Sequence, residues 1–213
     1  AGLVRGSSRG EGLGNRFLSF IREVDAIVHV VRCFENGDVM HVEGSVNSAR
    51  DAETINFELI FADIETVEKR LHKSEKMIKS GDRKYKIECD ALSKVKDNLE
   101  SGVFARVMDL SEEDRALVSE LFLLTDKPML YVANVSEDDT GNLDAPSVAP
   151  LRAIAEAQGA EVMAVCAQLE QELVALDEAE RKLFLDELGI GQSGLDGLIQ
   201  KSYKLLNLIS FLT

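Results

Sequence analysis

Three short stretches of the chain are β-branched and almost continuously apolar: AIVHVVRCF (26–34), MLYVANV (129–135) and EVMAVCA (161–167). Such runs, without polar alternation, predict parallel strands buried on both faces. Residues 147–158, closed by Gly159, read as a helix between the second and third runs, giving a strand–helix–strand unit. Beyond the third run, further helical pieces follow, with Asp177 and Ser193 as N-caps and Glu180 completing a capping box; the last is an amphipathic helix over 194–207.

The first two strands are separated by almost a hundred residues, far more than a simple crossover requires, so an insertion is predicted. Within it the pattern switches to a helical period. Phe57, Ile60, Ile64, Val67 and Leu71 recur at alternating spacings of three and four, and Ile78 follows a heptad later. This a/d stripe predicts one long helix over 51–79 with a coiled-coil seam. Ser80-Gly81-Asp82 breaks it. A second helix carries Tyr85, Leu92, Val95 and Leu99 on its seam and stops at Gly102, so the two fold back as an antiparallel hairpin. A third helix, capped at Ser111, returns the chain to the strand at 129. The predicted architecture is an α/β parallel sheet interrupted by an inserted antiparallel helical hairpin. Its expected parts are 1–50, the first part of the sheet domain; 51–125, the helical insertion; and 126–213, the second part.

Charge sharpens this picture. The net charge is −14, which disfavours nucleic acid at first sight. Yet between Lys69 and Lys86 eight bases stand against two acids, Glu75 and Asp82. The hairpin places this cluster at its far tip, about 30–40 Å from the sheet at 1.5 Å per residue. A local cationic patch on an acidic protein steers toward phosphate; a merely solvated helix tip has the same composition. Cys33, Cys89 and Cys166 form no C-x-x-C pair, and the three histidines are scattered. A reducing, cytoplasmic setting is expected, and a zinc site or disulfide framework is not. No apolar run reaches eighteen residues, so no membrane association is expected.

Candidate chemistry falls where α/β sheets bind ligands, at the carboxyl ends of strands. No nucleophile elbow is present, and Gly10-x-Gly12-x-Gly14 lacks the dinucleotide spacing. Three segments stand out: the glycine-rich opening AGLVRGSSRGEGLG, Asn134-Val135-Ser136-Glu137 after the second strand, and Val165-Cys166-Ala167 after the third. Together, in this order, they resemble the switch II, N-K-x-D and S-A-K motifs of a P-loop GTPase-type domain. The segments GLVRGSSRGEGLGN and VRCFEN…HVEG, with YVANVSEDD and KLLNLISFLT, resemble the YchF family, the Obg-like ATPases, over essentially the whole chain.

The resemblance implies a P-loop NTPase-type sheet, here without its N-terminal strands, in a longer protein in which a P-loop and switch I precede this sequence and a TGS domain follows it. Gly2 and Leu3 then occupy the water-positioning region of switch II. Leu3 stands where a water-orienting Gln is usual, and an alkyl group cannot hydrogen-bond water. Asn134, Val135, Glu137, Cys166 and Ala167 surround the base. Guanine offers an Asp two adjacent donors, whereas adenine offers one amine beside a ring acceptor, so Glu137 and Val135 in place of Asp and Lys imply ATP over GTP. Mg²⁺ is held by residues outside this chain, and no metal ligand is assigned within it. The chain on its own is expected to be inactive. The resemblance further implies a ribosome or RNA partner at the hairpin tip, through Arg70, Lys73, Lys76, Arg83 and Lys84, and a monomeric protein. The competing reading is a non-catalytic helical binding module on an α/β platform.

Overall fold

The computed structural model describes residues 3, 6, 14–37, 44–78 and 82–209. It divides into two compact units, the first formed by Ala1–Asp25 with Glu53–Lys127 and the second by Ala26–Ala52 with Pro128–Thr213. The changeovers fall at 25/26, 52/53 and 127/128. Residues 1–25, expected with the sheet, cluster with the helices instead.

The second unit is built on three parallel strands in the order β1 (Ile27–Arg32), β2 (Met129–Asn134), β3 (Glu161–Val165). Ile27 pairs with Met129 and Arg32 with Asn134; Leu130 pairs with Glu161 and Asn134 with Val165. β2 is the central strand, and Met129 through Ala133 are buried without a break. Its alternating side chains serve two layers. Leu130 and Val132 pack with Met163 against Leu198 and Leu205 of α8 (Gly194–Leu205). Tyr131 faces the other way, and its hydroxyl donates to Gln158 Oε1 at 2.7 Å, at the end of α5 (Ala149–Ala157).

β1 departs from the expected doubly buried strand. Val28 is 42% and Val30 62% exposed. Among the described residues β1 is an edge strand, and one of its faces has no covering layer, so an apolar run that reads as core is half uncovered. α6 (Ala167–Ala175) and α7 (Glu178–Glu187) close a second small core of Cys166, Leu169, Leu173 and Leu185. The capping box at Asp177 and Glu180 forms as the sequence predicts.

The first unit is helical. α1 (Gly14–Arg22), the greater part of α2 (Ser48–Ile78), α3 (Arg83–Glu100) and α4 (Glu112–Ser119) compose it. Glu68 of α2 meets Lys96 of α3 at 2.7 Å, while Ser74, further along α2, meets Glu88, earlier on α3. Rising numbers on one helix against falling numbers on the other make the pair antiparallel. The seam, however, is rotated from the predicted one. Phe57 is 50% and Ile78 39% exposed, whereas Asn56, Leu59, Ile60, Asp63, Val67 and Ser74 are buried. Three of those six positions are polar, so a hydrophobic count alone misplaces the buried face. On α3 the predicted Leu92, Val95 and Leu99 are all fully buried. α4 stops at Ser119 rather than running to the strand, because the chain next turns through Phe122 (φ +50°) into a single 3₁₀ turn at Leu124–Asp126.

Candidate functional site

Three groups of side chains carry the candidate chemistry, one in the sheet unit and two in the helical unit. In the sheet unit, β2 and β3 end side by side, and the loops leaving them are laced together. The Val135 N–H donates to the Val165 carbonyl at 3.0 Å, and the Asn134 carbonyl accepts from the Cys33 N–H at 2.7 Å. The Asn134 side chain crosses to the neighbouring loop, where its Oδ1 accepts from the Ala167 N–H at 3.1 Å. With that oxygen engaged, its amide NH₂ is the donor left for a ligand.

Of the five residues expected around a base, Asn134 is half-buried and Glu137 and Ala167 are exposed, so all three are reachable. Val135 and Cys166 lie beneath them, at 2% and 4% exposure. Their side chains belong to the core; Cys166 caps α6, its Sγ accepting from the Leu169 N–H at 3.5 Å. Glu137 opens a short 3₁₀ turn through Asp139.

The opening segment lies in the helical unit. Leu3 is half-buried, and Gly2 lies outside the described residues. Gly6 (φ +89°) donates its N–H to Glu58 Oε1 at 2.7 Å. Glu58 is only 4% exposed, and sequence reading missed it. The available signal was an acid set in the run NFELIFAD, where every period of burial passes through polar positions. Asp63, on the same run, is wholly buried. Its carboxylate accepts from the Leu124 N–H at 2.8 Å, the Thr125 N–H at 2.7 Å and the Thr125 hydroxyl at 2.8 Å, with Arg22 at 3.4 Å. Burial raises its pKa, against the pull of those donors and of Arg22.

At the hairpin's end, Lys73, Lys76, Arg83 and Lys84 are exposed and make no ion pair among the described residues. Arg70 differs. Its guanidinium is engaged by Glu88, which also accepts from the Ser74 hydroxyl at 2.9 Å, and it lies 3.7 Å from Glu120. Burial alone would raise the Glu88 carboxyl, but the hydrogen bonds from Arg70 and Ser74, with the charges of Arg70 and Lys84, hold it below its usual range. Among the described residues no three His, Cys, Asp or Glu side chains gather as a metal site. The described cysteines are all free and buried. No described helix is long and apolar enough to cross a membrane.

No model of a known protein family matches the chain. Individual proteins do. The chain is 50% identical over 214 residues to the ribosome-binding ATPase YchF of Bacillus subtilis (strain 168), covering all of this chain and 58% of that protein. It is 47% identical over 213 residues to the ribosome-binding ATPase YchF of Escherichia coli O157:H7, with the same coverage. The solved structure of the Schizosaccharomyces pombe YchF GTPase superposes with a TM-score of 0.80 at 33% identity, over 92% of this chain and 54% of that one. The chain thus spans 58% of the length of these curated relatives.

Proposed function

Because the chain belongs to the YchF family along its whole length, we propose that it contributes the base-recognising side of a nucleotide-hydrolysing domain and a cationic helical arm that meets the ribosome. The observation that carries the nucleotide reading is the bond from Asn134 to the Ala167 N–H. It holds two strand-end loops together and presents an amide donor suited to a ring nitrogen of a purine. Exposed Glu137 beside it is an acceptor, suited to the exocyclic amine of adenine. The fit favours ATP over GTP. Val135 and Cys166 serve this site from beneath, by shaping the loops, and Ala167 offers a small surface on which a flat base can lie.

Leu3 stands in the water-positioning region with Gly2 and offers the water no hydrogen bond, so hydrolysis is slow or arranged by other groups. Mg²⁺ accompanies the nucleotide phosphates in this reading. No described residue is assigned to hold it, and no step here runs through it. The protein works in the cytoplasm as a monomer.

The ribosome is reached through Lys73, Lys76, Arg83 and Lys84, with Arg70 stiffening the arm through Glu88. Contacts of this kind are phosphate contacts and weaken steeply with salt. Titration calorimetry of the complete gene product with ATP and GTP, in the presence of Mg²⁺, tests the reading. ATP binds more tightly than GTP, and Asn134→Ala weakens it about tenfold, the loss of one good hydrogen bond and its brace. Equal affinity for both nucleotides, or an unaffected Asn134→Ala variant, removes the base assignment. Leu3 also favours a second reading, a non-catalytic helical binding module; binding without any turnover of ATP would establish it.

A further inference from the structure

The geometry points to Glu58 as a positioning residue that fixes the segment holding Leu3 to the helical arm. The inference rests on the reading of Leu3 as part of switch II. The Glu58 carboxylate is almost completely withdrawn from water, and it receives the Gly6 N–H over a separation of 52 residues. Withdrawing a carboxylate from water is costly unless donors replace the water, so such a group marks a place where the chain is held firmly. Gly6 has φ +89°, a conformation open to glycine at little cost, and that conformation belongs to the residue whose N–H makes the bond.

Leu3 is three residues away, at most about 10 Å of extended chain. Pinning Gly6 confines Leu3 to within that reach of the Glu58 carboxylate. The other end of the same arrangement is rigid too. One and a half turns further along α2, Asp63 grips the turn at Leu124–Thr125 and the Arg22 guanidinium. Glu58 therefore anchors the Leu3 segment to the part of α2 least able to yield. From there the helix continues without a break to Ile78, about 30 Å away along its axis. A single carboxylate thus joins the segment proposed to lie beside the attacking water to the arm proposed to meet the ribosome.

Two variants of the complete gene product, Glu58→Ala and Glu58→Gln, test this by steady-state ATP turnover and by amide hydrogen exchange at Gly6. Glu58→Ala lowers kcat about tenfold with KM within about twofold, because the water is misplaced while nucleotide binding is untouched. Exchange at Gly6 accelerates. Glu58→Gln keeps an acceptor oxygen and recovers most of kcat. Turnover by Glu58→Ala equal to the parent, with faster exchange at Gly6, overturns the positioning role. So does a parallel fall of kcat, ATP affinity and melting temperature in both variants, which would mark Glu58 as only a structural acid. If the parent protein hydrolyses no ATP, the proposed function fails rather than the anchor. Exchange then decides alone, and unchanged exchange at Gly6 in Glu58→Ala overturns the anchor.

Discussion

The two units solve the problem of buried polar groups in opposite ways. The helical unit buries three carboxylates, Glu58, Asp63 and Glu88, and gives each of them donors from distant parts of the chain. The sheet unit buries mostly apolar side chains, and its one sealed imidazole nitrogen, His29 Nδ1, has no hydrogen-bond partner among the described residues. In the first, charge fixes which segments meet. In the second, strand pairing and hydrophobic layers do that work, and a stray polar atom is tolerated at a cost. The contrast teaches that the arm is held by a few irreplaceable acids, whereas the sheet spreads its stability over many contacts.

The largest expected effect is at Asp63. Asp63→Ala strands two backbone N–H groups and the Thr125 hydroxyl in a dry interior and removes the carboxylate beside Arg22, which keeps the Ala62 and Phe122 carbonyls. The expected loss is about 4 kcal/mol, measured as a shift in the urea midpoint at unchanged slope. Asp63→Asn keeps one oxygen acceptor and loses about half as much. If Asp63→Ala costs no more than a surface substitution, the helical unit is not organised by its acids and the comparison fails.

His29 comes next and probes the other unit. Its ring lies against Tyr131, with centroids 5.1 Å apart, and burial lowers its pKa to about 4. In the unfolded chain the imidazole takes up a proton near pH 6.5, while the folded chain refuses it until about pH 4. Stability is therefore full above pH 6.5, falls as the pH drops to 4, and levels off below. The whole loss is up to about 3 kcal/mol. Thermal melts from pH 7.5 to 4 should show that slope, and His29→Phe should flatten it. Asp63 does not contribute to this fall, since burial raises its pKa and acid relieves it.

Arg70 ranks third and divides the arm's cations. It is a third exposed and spans the helix pair, so its removal lets water reach Glu88, and Arg70→Ala costs about 2 kcal/mol rather than the full penalty of a stranded charge. Lys73→Ala leaves the melting temperature unchanged but lowers the slope of log affinity for ribosomes against log salt by about one. A variant pair in which both residues behave alike would show that the arm does not separate structural from binding cations.

Much of this was legible in the sequence, and the failures have physical causes. The strands and the caps at Ser111, Asp177 and Ser193 follow from local chemistry, which one chain displays; the predicted break at Ser80-Gly81 lies outside the described residues, between the end of α2 at Ile78 and the start of α3 at Arg83. The buried face of α2 was misread because Asn56, Asp63 and Ser74 lie on it; Asp63 is met there by donors just over sixty residues away, and the Ser74 hydroxyl by the Glu88 carboxylate of α3. No periodicity encodes that. Asn134 closes β2, Glu137 opens the 3₁₀ turn beyond it, and Ala167 opens α6 after β3. That Val135 and Cys166 face inward is set by packing of the loops, which the motif's spacing does not specify. The exposure of Val28 and Val30 is likewise a property of the sheet's edge rather than of the strand itself.

The smallest effect sharpens the comparison by supplying a charged pair on the sheet unit. Glu161 opens β3 and accepts from Lys201 and Lys204 of α8, each at 2.7 Å, and these hydrogen bonds lower its pKa to about 2. Here the folded chain holds the proton less tightly than the unfolded one, so the stabilisation is present above about pH 4.5 and is lost as the pH falls toward 2. The carboxylate is 45% exposed, so water screens the pairs and their worth is under about 1 kcal/mol. The window lies largely below that of His29, and the two are separable: Glu161→Gln should leave most of the slope between pH 6.5 and 4 intact while removing part of the loss beneath it, the remainder belonging to Glu88, whose carboxyl is also held below its usual range. A Glu161→Gln loss as large as that of Asp63→Ala would mean that the sheet unit, too, is held by its acids.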